Sequence, residues 1–136
     1  MEEKILLEIV TPDRLIVSEE AEEINAPGSL GDFGVLPGHT PFLTTLRAGE
    51  ISYKPPKGER KYFSVSWGYA EVSPDKMIIL ADAAEKAEEI DLERAQKAIH
   101  RAEERLKSRV PDTDIERAEA ALGRALARIQ VAARKR

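Results

Sequence analysis

The segment EKAEEIDLERAQKAIHR, residues 85–101, marks the point at which the pattern of this chain changes. Before it, apolar residues alternate with polar residues, with the period of two that is typical of β-strands. From Leu92 onwards, apolar residues recur at steps of three and four, a spacing that places them on one face of a helix. The segment therefore divides the chain into two predicted domains, a β-rich head of residues 1–84 and a helical tail of residues 85–136.

The head has the pattern of an all-β unit. Short alternating or β-branched runs are separated by turn residues, such as those at 11–13 and 37–38, and no long helical interval interrupts them. The predicted strands are Ile5–Val10, Leu15–Val17, Ile24–Ala26, Phe42–Leu46, Ile51–Tyr53, Tyr62–Trp67, Tyr69–Val72 and Met77–Leu80. Strands this short and this closely spaced predict an antiparallel β-sandwich or barrel.

Two amphipathic helices are predicted in the tail. Their apolar positions alternate between large and small residues, so the small ones allow the helices to approach closely and leave a shallow groove. These positions are Leu92, Ala95, Ile99, Ala102 and Leu106 in the first helix and Ile115, Ala118, Leu122, Ala125, Ile129 and Ala132 in the second.

The ends of both helices carry recognisable signals. Asp91 is placed to cap the first helix, with Ile90 before it as a hydrophobic staple. Pro111 breaks the chain, and Thr113 forms a capping box with Glu116 at the start of the second helix. The short connection at 107–112 predicts an antiparallel hairpin. The predicted fold class is an all-β N-terminal sandwich followed by an α-helical hairpin.

Composition limits the class of protein. The 136 residues are 42% hydrophobic and 34% charged, which describes a well-solvated globular chain, and no cysteine is present to form a disulfide or a thiolate metal site. The acidic start at Met1–Lys4 does not resemble a signal peptide, and no apolar stretch approaches the length of a membrane span. We therefore expect no direct membrane insertion.

Charge is distributed unevenly between the two predicted domains. The head carries 14 acidic and 8 basic side chains, whereas the tail carries 11 acidic and 13 basic ones. A tail with a positive excess can attract an anion or an acidic protein surface. Because the tail arginines are interleaved with glutamates and the head is acidic, we do not expect binding to nucleic acid.

Arginines form one stripe on each predicted helix, beside the alanines. The first stripe contains Asp91, Arg94, Ala98, Arg101 and Arg105, and the second contains Arg117, Ala121, Arg124 and Arg128. Guanidinium groups bind phosphate oxygens in a bidentate manner, so two such stripes beside a shallow groove would suit a phosphate-bearing ligand. Exposed arginines are also ordinary on a solvated helix face, and composition does not separate these two interpretations.

No catalytic motif is recognisable. His39 and His100 have no partners at a metal-binding or catalytic spacing, and no phosphate-binding loop motif is present. The glycines Gly28, Gly31 and Gly34 do not have the dinucleotide-binding spacing, and we interpret them as turns and bulges in the sheet. We therefore expect a protein that is not an enzyme and that holds no metal.

Several segments in this order resemble the epsilon subunits of bacterial F-type ATP synthases. They are Thr11-Pro12-Asp13, the glycine-rich stretch 28–41, Gly68–Val72, Ile79–Glu85 and, in the tail, Ile90-Asp91-Leu92-Glu93-Arg94-Ala95. Together they cover essentially the whole chain. One departure is Trp67, because the family commonly has a small residue before Gly68.

The resemblance implies a non-catalytic rotor subunit of the central stalk, which couples proton-driven rotation to ATP synthesis. The head would lie against the gamma subunit and the ring of c subunits, peripherally on the cytoplasmic side of the bacterial inner membrane. Asp32 matches a loop position near the c ring, and His39 matches a turn near gamma. A solvated carboxylate and a histidine that stabilises its turn are the structural alternatives for these two residues.

In some members of this family the tail hairpin binds ATP without hydrolysing it. The matching positions are Glu85, Ile90, Asp91, Arg94, Ala95, Arg101, Arg117, Arg124 and Arg128. The resemblance thus implies that ATP is a regulatory ligand, with no cofactor required. Bound ATP would favour the compact hairpin, whereas an extended tail would reach the catalytic alpha and beta subunits and inhibit ATP hydrolysis.

Two alternatives stay open at this point. In the first alternative, the chain is the same rotor subunit, but its tail is a purely protein-binding inhibitory arm whose arginines contact acidic surfaces of the catalytic subunits. In the second, the chain is an independent β-sandwich enzyme, which the absence of a recognisable catalytic site disfavours.

Overall fold

The computed structural model describes residues 4–108 and 114–134 and contains eight strands followed by two helices. The strands are β1 (Ile5–Val10), β2 (Leu15–Ala21), β3 (Glu23–Gly28), β4 (Gly31–Val35), β5 (Phe42–Leu46), β6 (Gly49–Lys54), β7 (Lys61–Ser73) and β8 (Lys76–Lys86). A 3-10 turn at Ala87–Glu89 leads to α1 (Leu92–Ser108) and α2 (Ile115–Ala132). This order confirms the predicted fold class, while the boundary after residue 84 stays a prediction.

Two long strands, β7 and β8, join the two halves of the sandwich. They pair with each other from Phe63 and Lys86 to Ser73 and Lys76, with an interruption at Trp67. The first part of β7 pairs with β6 and its second part pairs with β5. Strand β7 therefore changes its partner at Ser66 and Trp67, where it passes from one half of the sandwich to the other.

A single apolar cluster fills the space between the halves. Alternate residues of the strands point inward, as the burial of Ile5, Leu7 and Ile9 on β1 shows. The largest fully buried side chains include Tyr53, Ile24 and Met77, which come from three further strands. Burial of apolar area on this scale is the main source of stability for the head.

Gly68 permits the close approach of β7 and β8 at the bend. Its backbone has a φ of +139°, and a Cβ atom added there would lie 1.8 Å from the carbonyl oxygen of Leu80. No side chain fits at that distance, since the obstacle is backbone rather than a movable group. This glycine is therefore a requirement of the fold.

Three features of the head differ from the sequence prediction. Residues 31–35, where no strand was predicted, form strand β4, because they pair with β3 in a hairpin from Ile24–Val35 to Gly28–Gly31. The predicted strands on either side of Gly68 are one continuous strand, β7. The predicted antiparallel arrangement is wrong for β1 and β8, which pair in parallel.

Helix α2 lies between the head and α1. It contacts β6, β7 and the 3-10 turn on one side and α1 on the other. The alanines at the helix seam are buried, with Ala118 and Ala125 fully covered, whereas Leu92 and Ile115 remain 42% and 41% exposed. The tight contact between the helices is therefore made by small residues, as predicted, and the large ones stay near the surface.

The helix caps are in part those predicted. The Asp91 carboxylate accepts the backbone N–H of Arg94 at 3.0 Å, which confirms it as the cap of α1. At the start of α2, Asp114 accepts the N–H of Arg117 at 3.0 Å. Pro111 and Thr113, to which the chain break and the capping box were assigned, lie outside the described residues. No helix within the described ranges is long and apolar enough to cross a membrane.

The bend at Gly68 gives a test of this fold. We expect Gly68→Ala to lower the unfolding free energy by more than about 4 kcal/mol, because the added methyl group meets backbone. The matched control is Gly123→Ala in α2, where an added Cβ meets no atom within 4 Å. That change should raise the free energy by about 0.5–1 kcal/mol through helix propensity. Chemical denaturation measures both, and a Gly68→Ala protein of wild-type stability would contradict the described bend.

Candidate functional site

A cleft of about 360 Å³ lies where the end of β8 meets the helical hairpin. Its volume is within the range of small-molecule sites. The lining residues are Glu85 of β8, Glu89 of the 3-10 turn, Asp91, Arg94, Ala95, Ala98, Arg101, Ala102 and Arg105 from α1 and its cap, and Ala121, Arg124 and Arg128 from α2. The cleft therefore has contributions from the head and from both helices, and it exists in this form because α2 folds back along α1.

Positive charge dominates the cleft. Five arginines and three carboxylates line it, an excess of two positive charges. Each carboxylate is already engaged, since Glu85 pairs with the Arg128 guanidinium, Asp91 caps α1, and Glu89 accepts the backbone N–H of Lys86 at 3.3 Å.

Three arginines of α1 line the cleft with guanidinium groups that pair with no described residue. Among residues 4–108 and 114–134, the side chains of Arg94, Arg101 and Arg105 form no ion pair or hydrogen bond. The α1 residues Ala95, Ala98 and Ala102 are small, so they leave these groups accessible from the cleft. The arrangement suits an anion with several oxygen acceptors, because each guanidinium offers a planar set of N–H donors.

The two arginines of α2 in the cleft also contact the head. The Arg128 Nε atom lies 2.6 Å from Glu85 Oε1 in β8, and both side chains are about one-third exposed. One turn earlier, the Arg124 guanidinium lies over the Trp67 ring, 5.4 Å from its centroid. Two residues of α2 thus belong both to the wall of the cleft and to the contact between tail and head.

The face of the sheet beneath α2 is made of small and polar residues. In one row across the sheet, Ser64 of β7 lies between Glu50 of β6 and Glu85 of β8. Arg134, just beyond α2, pairs with Glu50 at 3.1 Å, while Arg128 pairs with Glu85. Ser64 is 4% exposed between these two ion pairs. The small side chain of Ser64 allows the helix to approach the sheet closely.

A small apolar cluster completes the contact between head and tail. Ala87 and Ile90, at the start of the tail, are buried against Val131 and Ala132 at the end of α2, and Tyr62 of β7 packs on their edge. The Arg134 guanidinium lies over the Tyr62 ring, 4.8 Å from its centroid. Because this cluster is much smaller than the core of the head, the contact is the weaker of the two apolar assemblies.

Seven of the nine residues predicted to bind a ligand line the cleft. These are Glu85, Asp91, Arg94, Ala95, Arg101, Arg124 and Arg128. The structure separates the other two from it. Ile90 is 2% exposed because it packs in the apolar cluster. Arg117 lies in the first turn of α2, one turn before Ala121, which is the first α2 residue of the cleft. It is therefore at the end of the hairpin that is far from the head.

The cleft also includes residues that the predicted set omitted. They are Glu89, Ala98, Ala102, Arg105 and Ala121. Helical periodicity alone places Arg105 one turn after Arg101, so that residue had a sequence signal. Glu89 had none, because its position depends on the 3-10 turn between β8 and α1.

The two residues predicted to contact partners lie on loops and strands of the head. Asp32 of β4 is exposed and forms an ion pair with Arg47. The His39 ring donates from Nδ1 to the carbonyl oxygen of Thr40 at 2.6 Å and lies 6.2 Å from Phe42, between ring centroids. Neither residue lines the cleft. Their assignment to partners stays a prediction.

A larger groove, of about 640 Å³, includes Glu19, Tyr53 and Lys61 of the head and extends to Arg134 beside the tail. The Tyr53 hydroxyl and the Lys61 ammonium donate to Glu19 at 2.6 and 2.9 Å. Burial would raise the pKa of Glu19, but these two hydrogen bonds outweigh it and lower that pKa. Burial and the contact with Glu19 in turn raise the pKa of Tyr53. These side chains satisfy one another, so the groove offers fewer open donors than the cleft.

Comparison with protein families gives two adjacent matches, which together span residues 4–133. Residues 4–87 match the family described as ATP synthase, Delta/Epsilon chain, beta-sandwich domain. Residues 88–133 match the family described as ATP synthase, Delta/Epsilon chain, long alpha-helix domain.

Curated relatives match over nearly their full length. An ATP synthase epsilon chain of Geotalea uraniireducens is 53% identical over 135 residues, covering 98% of this chain and 97% of the relative. ATP synthase epsilon chain 2 of Syntrophotalea carbinolica is 53% identical with the same coverage.

Two solved structures are similar in fold. One is a chain in the Euglena gracilis mitochondrial ATP synthase, solved as OSCP/F1/c-ring, with a TM-score of 0.86 and 25% identity. The match covers 98% of this chain and 83% of that one. A chain from the central stalk and c-ring of the Tetrahymena thermophila mitochondrial ATP synthase has a TM-score of 0.56 at 14% identity, over 94% of this chain and 92% of that one. The second likeness concerns the fold alone.

Proposed function

The chain belongs to the ATP synthase delta/epsilon chain family, and from that premise we propose that it is a regulatory, non-catalytic subunit of the rotor whose tail hairpin binds ATP. In this proposal the compact hairpin is the ATP-bound form. The extended tail reaches the catalytic alpha and beta subunits and inhibits ATP hydrolysis. The subunit is peripheral, on the cytoplasmic side of the bacterial inner membrane.

The observation that carries the nucleotide proposal is the group of cleft arginines that have no partner among the described residues. Arg94, Arg101 and Arg105 project from one helix at intervals of seven and four residues, so their guanidinium groups follow one line along the cleft. A triphosphate presents its oxygens in a line as well, and guanidinium–phosphate contacts are strong because they are charge-assisted. The carboxylates of the cleft are engaged with protein donors and so do not oppose this anion at full strength.

Linkage connects the ligand to the shape of the tail. The cleft requires α1, α2 and the end of β8 to be together, so a ligand that contacts all three binds the compact form better than the extended one. Each contact between head and tail is individually modest, since the Glu85–Arg128 pair is partly exposed to solvent. The free energy of binding a ligand is then large enough to shift the equilibrium between the two forms.

The head offers a separate surface for the gamma subunit. On the outer face of the sheet, Leu15, Leu80 and Tyr69 are 53%, 51% and 55% exposed. They lie in one row, because Val10 of β1 pairs with both Leu15 and Leu80, and Leu80 pairs with Tyr69. A contiguous exposed apolar row of this kind favours a protein partner. We assign this face to gamma.

The tip of the β3–β4 hairpin is the surface we assign to the c ring. Leu30 at this tip is fully exposed. Asp32, two residues further along, presents a carboxylate whose charge is partly offset by Arg47. His39 lies in a different turn, after β4, and is assigned to the side of the head that meets gamma.

Binding of ATP to the isolated chain tests the nucleotide proposal. We expect calorimetry to detect one ATP site, and the double variant Arg94→Ala, Arg124→Ala to lose about two orders of magnitude in affinity, since hydrogen bonds to charged groups contribute about 1.5–3 kcal/mol each. The control Lys97→Ala, Lys107→Ala also removes two positive charges, but from α1 residues outside the cleft, and it should bind ATP with nearly normal affinity. Absence of heat with the intact chain, or equal affinity of the two double variants, would refute ATP binding at this cleft.

Hydrolysis by the reconstituted enzyme complex tests the inhibitory part of the proposal. A chain that ends at Lys86 keeps all eight strands and lacks both helices. We expect the complex with this shortened chain to hydrolyse ATP faster than the complex with the full chain. Equal rates would contradict inhibition by the tail.

The same assay separates the proposal from its alternative, in which the tail inhibits without binding nucleotide. If a higher ATP concentration relieves inhibition by the full chain but not by the Arg94→Ala, Arg124→Ala chain, the tail inhibits in a nucleotide-dependent manner, as proposed. If the ATP concentration does not change inhibition by either chain, and the variant chain inhibits less than the full chain, the arginines act on an acidic protein surface instead.

A further inference from the structure

We propose that Trp67 is the positioning residue of the cleft, which holds the Arg124 guanidinium at the cleft wall while leaving its N–H donors free for a phosphate. This inference rests on the proposed binding of ATP. The geometry that leads to it is the placement of the Trp67 ring beneath Arg124, with 5.4 Å between the guanidinium carbon and the ring centroid.

The backbone of Trp67 is in a conformation that an aromatic residue rarely adopts. Its φ is +38°, in the left-handed region, and it is the one described residue other than glycine with a positive φ. Asn and Gly adopt this conformation at much lower cost. Unfavourable conformations of this kind persist where the surrounding structure imposes them, and they are concentrated at functional sites.

The position of Trp67 in the sheet explains how its ring reaches the tail. Val65 is the last β7 residue paired with β6, and Gly68 is the first one paired with β5. Trp67 lies in the interval, next to the close contact between Gly68 and Leu80. The bend of β7 therefore presents the ring to α2.

The two α2 arginines of the cleft are held by different kinds of contact. Arg128 is held by the Glu85 carboxylate, which neutralises its charge and occupies its Nε donor. Within the described residues, Arg124 forms no ion pair or side-chain hydrogen bond, and the Trp67 ring is its contact.

An aromatic ring interacts with the face of a guanidinium group, so the charge and the N–H donors at its edge stay available. Restricting a long side chain in its binding position also lowers the entropic cost of binding a ligand. A carboxylate at this position would hold the side chain as Glu85 holds Arg128, but it would offset the charge and occupy a donor. The aromatic residue is therefore a feature of the binding site as well as of the sheet.

Two substitutions separate the ring from the backbone. Trp67→Asn tolerates the positive φ but removes the ring, whereas Trp67→Phe keeps an aromatic face. We expect the Asn variant to bind ATP about three- to tenfold more weakly and the Phe variant to stay within about twofold of wild type. If Trp67 served the backbone alone, the Asn variant would instead have unchanged affinity and equal or higher thermal stability.

A double-variant cycle tests whether Trp67 acts through Arg124. We expect Trp67→Asn to have no further effect on affinity when Arg124 is already alanine. Tyr62→Leu is the control, because it removes the other arginine–ring contact, which lies outside the cleft. Any effect of Tyr62→Leu on ATP affinity must come from a weaker contact between tail and head. That effect should persist when Arg124 is alanine.

The chain contains one tryptophan, so its fluorescence reports this contact directly. ATP should change the emission with the same dissociation constant that calorimetry gives. If the intact chain binds no ATP, the proposed function fails and this inference fails with it. If the intact chain binds ATP, the inference alone is refuted by a Trp67→Asn variant of wild-type affinity, by a loss that persists in the Arg124→Ala background, or by an unchanged emission.

Discussion

The cleft depends on the double role of Arg124 and Arg128. Both side chains line the cleft between the helices, and both contact the head, through Trp67 and Glu85 respectively. A change at the cleft is therefore also a change at the contact between head and tail. In the proposed function, this shared use of two residues would couple a ligand in the cleft to the position of the tail.

The two parts of the chain are held by forces of different size. The head is closed by one large apolar core and by a bend that accepts no side chain at Gly68. The tail is joined to it by one small apolar cluster, by partly exposed ion pairs and by arginine–ring contacts. Because exposed ion pairs contribute little, the tail is expected to leave the head without disturbing its core.

Local pattern predicted the elements, but tertiary contacts decided the details. Alternation placed Ile5–Val10 correctly, and helical spacing placed both helices and the Asp91 cap. The sequence pattern did not predict β4, because its glycines have low strand propensity, and pairing with β3 in a hairpin overrides that propensity. Likewise, periodicity predicted the two arginine stripes. It did not predict that Arg117 lies outside the cleft or that Trp67 faces Arg124, because both facts depend on how α2 lies against the head.

Hydrogen exchange of the isolated chain, with and without ATP, tests most directly whether the ligand stabilises the compact tail. We expect ATP to slow exchange of the amides in α1 and α2 and to leave those in the core strand β1 unchanged, because in the proposed function the ligand binds where the helices and the head meet. Unchanged or faster exchange in α2 at saturating ATP would contradict it.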